Sequence, residues 1–451
     1  MPSLWWRSAW RSRKPGSRRG LVTPGEHARP FVVAVAVAAW LTTVAAVPIP
    51  AVAAAAQDRE FAYVANLDSN TVSVIDTTAT RPSVIASVAV GTGPRAVAVT
   101  PNGTRAYVTN SGSDSVSVID TTATPPSVIA TVGVGDDPHG VAIAPNGTRA
   151  YVTDFGSDTV SVIDTTTTPP SVVSTVGVGR EPEAVAIAPN GTRAYVSNFG
   201  AGTVSVIDIT AVPPSVIANV STAPPSAPRG LAVTPDGTRL YVPNSLPGRV
   251  SVIDTTTTPP SVIAHVGVQL SPMVVAFAPN GARAYVTTSF SGSVRVLDTT
   301  TRLPIVIGSV DVGNNPSGLA ITRDGTRAYV ANSFSGTVSV LDITVNPPSV
   351  VATVGVGAHP EGVAIGRIVS DVPQPGGSNG GSSGGSSGGS PGGGQRGNGQ
   401  QGGDSPGGTP AHSSEIKIKT GVAMAQCGHQ TEHRRPRTHC GGKNGHRASG
   451  S

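Results

Sequence analysis

The sequence predicts an all-β fold, a seven-bladed β-propeller of four-stranded antiparallel blades, and two periodic series predict it. Tyr63, Tyr107, Tyr151, Tyr195, Tyr241, Tyr285 and Tyr329 are separated by 44, 44, 44, 46, 44 and 44 residues. Asp76, Asp120, Asp164, Asp208, Asp254, Asp298 and Asp342 end seven Ser-Val-Ile-Asp-like runs in phase with the tyrosines. A period of ~40–45 residues is that of one propeller blade, whereas a β-helix repeats at a much shorter interval. The one longer step holds an insertion, Ser221 to Pro228.

Residues 137–180 show what one repeat must be. D-P-H-G-V-A-I-A-P reads as a first strand. N-G-T is a hairpin signal, since Asn and Gly both tolerate positive φ. R-A-Y-V-T-D is a second strand, and F-G-S-D a turn. T-V-S-V-I-D is a third strand, with Val160 and Val162 on one face and Ile163 on the other. T-T-T-T-P-P breaks the ladder because proline lacks the N–H, and S-V-V-S-T-V-G-V is the fourth strand. Helical periodicity is absent and β-branched residues dominate.

The two ends of the array predict ring closure. The first repeat begins at R-E-F-A-Y-V and lacks the preceding P-x-x-V-A strand. The last ends in Pro360–Ile365, which is such a strand without partners. Residues 359–366 are therefore expected to supply the inner strand of the first blade, which removes open sheet edges.

The flanks differ from the array, whose expected bounds are 57–370. Residues 1–56 read as a signal peptide: seven basic residues against one acid, an apolar run Phe31–Val47, then Ala54-Ala55-Ala56 before Gln57. A retained membrane anchor is the alternative, and Arg18-Arg19 matches twin-arginine export only in its arginine pair. Residues 371–411 are a Gly/Ser/Pro-rich linker expected to be disordered, and 412–451 a basic Cys/His-containing tail of the same kind.

Charge follows this division. Residues 58–368 carry 16 Arg, no Lys and 21 acids, so the ring is acidic although the whole chain is formally +5. This excludes the ring as a nucleic-acid binder. The tail suits contact with anionic envelope polymers. Membrane contact is expected only through an uncleaved N-terminal segment. The two cysteines, Cys427 and Cys440, lie in the tail. In an exported chain they can pair with each other, pair with another chain or stay free. With His429, His433 and His439 they also form a cluster zinc would accept, at a spacing that fits no common finger.

At Tyr107–Asn110, with the strings P-N-G-T-R-A-Y-V-T-N and V-S-V-I-D, the chain resembles the YVTN-type β-propeller repeat family over residues 58–368. The resemblance implies the propeller and export. The family's members are bacterial and archaeal surface-layer or secreted proteins, and related propellers include lactonases, lyases and the haem d1 domain of nitrite reductase. Fold likeness of this kind does not specify function.

An internal repeat separates scaffold from site. What recurs in every blade serves the scaffold: the arginines before Ala-Tyr-Val or Leu-Tyr-Val (Arg105, Arg149, Arg193, Arg239, Arg283, Arg327), expected to pair charges or cap turns, and the strand-end aspartates. Asn66, Asn110, Asn198, Asn244 and Asn332 are expected to form turns, as are the Asn-Gly-Thr triplets at Asn102, Asn146 and Asn190. What departs can serve a site. After each inner-strand proline the residues in ring order are Glu361, Arg95, His139, Glu183, Arg229, Met273 and Ser317; before it stand His359, Gly93, Asp137, Glu181, Ala227, Ser271 and Asn315. The next residue is always Gly, Ala or Val, which lets the inner strands crowd. These positions should rim one mouth of the central channel, with Glu361 beside Arg95, Glu183 beside Arg229, and His139 between the pairs. Glu361, Arg95, His139, Glu183, Arg229, Asp137, Glu181 and His359 are the candidate ligand-binding residues.

Catalysis at this mouth would need an acid/base pair such as His139 with Glu183, or a weak metal site from His139, His359, Asp137 and Glu361. Within residues 58–368 no G-x-S-x-G, H-E-x-x-H, P-loop or C-x-x-C-H occurs, so no catalytic residue, metal or cofactor is expected. Near-identical blades favour a non-catalytic, extracytoplasmic binding or scaffold protein whose partner is a protein or glycan. The alternative is a lactonase-like hydrolase or lyase using the mouth.

Overall fold

A computed structural model describes residues 59–368, apart from 223 and 225. The predicted leader, linker and tail, with both cysteines, lie outside the described residues. Seven four-stranded antiparallel sheets form the ring. The third blade has strands Pro138–Ile143, Arg149–Asp154, Thr159–Asp164 and Ser171–Gly177, as read from the repeat. Blades are numbered here from the one containing Tyr63.

Closure is as expected. Pro360–Ile368 pairs antiparallel with Arg59–Asn66, placing Ala62 opposite Ile365 and Val64 opposite Val363. The first blade thus takes its inner strand from the far end of the array and its other three from the start. The insertion falls at the inner edge of the fifth blade, where the first strand shrinks to Ala232–Val233.

The hydrophobic residues lie between blades, because each sheet has two apolar faces and only a neighbour can cover them. Tyr151, Val160 and Val162 of the third blade pack against Val185, Ala194, Val196 and Ile207 of the fourth. Ile163, on the opposite face of its strand, packs back toward Tyr107, Val116 and Val118 of the second. All seven repeat tyrosines are at most 2 % exposed.

The polar repeat residues depart from expectation in two respects. In the Pro-Asn-Gly hairpin only the glycine takes positive φ (Gly147, +73°). Pro145 locks a negative φ at the first turn position, so the loop is a normal turn closed by a left-handed glycine. The asparagines ending the second strands are not turn formers but fully buried. Asn110 Nδ2, for example, donates to Ser115 and Ser117 on the third strand of its blade. The arginines take one of their two expected roles, capping turns: Arg105, Arg193, Arg239 and Arg327 donate to main-chain carbonyls beyond the third strand of the following blade. Each strand-end aspartate closes its own turn, as when Asp164 accepts from the N–H and hydroxyl of Thr166.

Candidate functional site: the channel mouth

The inner strands bring the seven post-proline residues together. Arg95, His139, Glu183, Arg229, Met273, Ser317 and Glu361 all line one cavity of about 140 Å³, with Ala96, Gly140, Ala184, Gly230, Val274, Gly318 and Gly362 beneath them. The small residues are required by backbone crowding. A Cβ on Gly362 would lie 2.5 Å from the carbonyl of Arg95, and one on Gly140 2.8 Å from Cα of Ala184. One on Gly318 would strike the carbonyl of Glu361.

In four blades the penultimate residue of the second strand bridges two inner strands. Thr153 Oγ1 accepts from the N–H of Gly140 in its own blade at 2.8 Å and donates to the carbonyl of Glu183 in the next at 3.2 Å. Thr109 does the same with Ala96 and His139, Ser197 with Ala184 and Arg229, and Thr287 with Val274 and Ser317. Alanine occupies this position in the first and seventh blades, Ala65 and Ala331, and Pro243 in the fifth. At the seventh, Ser317 and Ser333 bond the carbonyl of Pro360 instead.

His139, Glu183 and Arg229 form one continuous cluster. His139 Nδ1 lies 3.1 Å from Glu183 Oε2, and Arg229 donates to Glu183 Oε1 at 3.1 Å. His139 Nε2 is 3.3 Å from Asp137 Oδ1, but the angle makes no hydrogen bond. Burial pushes the Glu183 carboxyl up. The His139 hydrogen bond, the Arg229 and His139 charges and the Arg229 hydrogen bond outweigh burial and hold it at about 2. Phe155 stacks on His139 at 4.2 Å, and the Arg229 guanidinium sits 4.3 Å over Phe199.

Glu361 has a different setting. Burial raises its carboxyl above the ordinary value, opposed by the charges of Arg95 and His359 and a hydrogen bond from Ser333. His359 Nε2 is 3.5 Å from Glu361, and its Nδ1 is 3.2 Å from Asp68. Asp137, Glu181 and His359 all take positive φ, near +50°, a conformation costly for residues other than Gly.

Of the expected pairings, Glu183–Arg229 forms, and His139 joins Glu183. Arg95 and Glu361 line the same cavity but make no ion pair, because Glu361 turns toward Ser333 and His359. Glu181 does not line the cavity; its carboxylate lies against Gly200 in the adjoining loop, where a Cβ would come within 2.6 Å of it. No three His, Cys, Asp or Glu among the described residues are arranged to hold a metal ion. Sequence reasoning missed Phe155, Phe199, Asp68 and Ser333. The first two follow the Tyr-Val-Thr-Asp and Tyr-Val-Ser-Asn strings of the third and fourth blades, so comparing that loop across repeats would have found them.

No protein-family model matches the chain, and no curated protein does. Solved structures match it through the propeller. Hydrazine synthase of Kuenenia stuttgartiensis is 28 % identical over 62 % of this chain and 91 % of its own, with TM-score 0.55. A putative 6-phosphogluconolactonase of Bacteroides uniformis is 17 % identical over 68 % of this chain and 99 % of its own, with TM-score 0.61. A periplasmic gluconolactonase of Pseudomonas aeruginosa is 17 % identical over the same shares, with TM-score 0.58. The chain is a seven-bladed β-propeller closed by its C-terminal inner strand.

Proposed function

We propose that the chain is an exported, non-catalytic binding or scaffold propeller of the YVTN-repeat kind, which engages an extracytoplasmic protein or glycan at its charged mouth. The repeat strings and the basic, apolar, alanine-ended leader support the family and the export. The binding reading rests on one observation: three of the residues that break the repeat, His139, Glu183 and Arg229, are bonded to one another. Glu183, clamped by His139 and Arg229, is held at about 2. A general base works best with a pKa near the working pH, and this carboxylate is far below it. Such a clamp makes a rigid polar surface for recognition.

A second reading, a lactonase-like hydrolase or lyase, is favoured by Glu361. Its carboxyl is raised and lies 3.5 Å from His359, and of the chain's structural neighbours one is described as a putative 6-phosphogluconolactonase and another as a gluconolactonase. Replacing His139, Glu183 and Glu361 together by Ala separates the two. The expected result is no hydrolysis of glucono-δ-lactone by the wild type, and capture of a partner from envelope fractions that the triple variant loses while keeping its circular dichroism. Wild-type turnover that the folded variant lacks establishes the enzyme instead. Partner capture unchanged in the variant removes the mouth from the reading.

A further inference from the structure

The two rim arginines are not equivalent. Arg229 is bonded to Glu183 and Ser245 and stacked on Phe199. Arg95 lines the same cavity, yet its Nε is buried with no hydrogen-bond partner. No acid lies within ion-pair distance of it among the described residues, since Glu361 is committed to Ser333 and His359.

We propose that the mouth binds a small monocarboxylate on the Arg95 guanidinium, an inference that rests on reading the mouth as a binding site. The planar fork of arginine matches a carboxylate in a bidentate pair. A single cation without a contacting acid matches a single negative charge, and a dianion would also meet the ionised Glu183. Across the ring, Met273 and Val274 supply an apolar wall for a short carbon chain. The cavity of about 140 Å³ is well below the ~300–1,000 Å³ of sites for drug-sized ligands, so the ligand is a head group with a few carbons.

The test titrates the full-length chain calorimetrically with butyrate, with butyramide as the neutral isostere and inorganic phosphate as the multiply charged control. Butyrate is expected to bind, and each control to bind about tenfold more weakly or worse. Arg95→Met is expected to lose butyrate affinity by about tenfold or more, and Arg95→Lys, which keeps the charge without the fork, to fall between. The lysine variant decides the matter if the methionine variant does not fold. Equal binding of butyrate and butyramide, no butyrate binding at ~millimolar concentration, tighter binding of phosphate, or butyrate affinity unchanged in the folded arginine variants overturns the proposal. Partner capture that survives Arg95→Met while butyrate fails to bind removes this inference and leaves the broader reading standing. Loss of the broader reading shows instead as capture indifferent to the triple alanine variant.

Discussion

Glu183 shows how far a single rim residue departs from its sequence context. Its ordinary value of 4.5 falls to about 2, because the partners that lower it outweigh burial. A depressed carboxylate contributes stability that is fully present above its unfolded pKa and lost as pH falls through the folded value. The contribution is therefore intact above about pH 5 and gone near pH 2. The gap corresponds to roughly 3 kcal/mol at most, and the side chain's 16 % exposure trims it to about 2 kcal/mol. Urea midpoints measured across this range should drop more steeply for the wild type than for Glu183→Gln; parallel profiles would contradict the clamp. That Glu183 neighbours Arg229 was legible from ring order alone. That Arg95 and Glu361 stay apart was not, since side-chain direction depends on Ser333 in the turn of the seventh blade and on His359 in the bend before the closing strand. Buried polar residues of the scaffold were misread for the same reason. Asn110 and its equivalents look like turn formers but are buried; at Asn66, Asn110, Asn198 and Asn332 a loop glycine, such as Gly91 against Asn110 or Gly179 against Asn198, leaves the room. In the sixth blade both positions change, Gln269 in place of glycine and Thr288 in place of asparagine.

At the scale of the strand, the hydroxyl one residue before that asparagine acts as a staple between blades. Thr153 bonds the inner strand of its own blade and the rim carbonyl of Glu183 in the next. Thr153→Val keeps the shape and removes both bonds, leaving the buried Gly140 N–H unpaired, which should cost about 1–3 kcal/mol in urea unfolding. A midpoint within error of the wild type would show that the staple carries no stability. In the third blade the second and third strands were readable to the residue, and the first and fourth to within two residues, from alternation and from Pro, Gly and Asp positions. The staple was not, because Thr in a strand reads only as β-propensity until the neighbouring blade supplies the acceptor.

At the scale of the ring, stability depends on the strand that joins the ends. Pro360–Ile368 contributes Val363 and Ile365 to the apolar layer between the first and seventh blades, and it pairs along nearly the whole of Arg59–Asn66. A chain ending at residue 359 should lose cooperative thermal unfolding, since it exposes one sheet edge and uncovers the apolar faces beside it. An unchanged calorimetric transition would mean that the ring does not depend on this closure.

The periodicity of tyrosine and aspartate already dictated seven blades, their four strands and the closing segment. These follow from local alternation and from the need of each sheet to be covered on both faces, and both are written in composition and spacing. The fold of the complete ring decided which rim side chains touch. Seven inner strands converge on one narrow opening, so residues 44 or more positions apart compete for the same partners. His139 and Arg229 both settle on Glu183, while Arg95 meets no acid. Such competition depends on distances and rotamers across blades, which no repeat unit contains by itself.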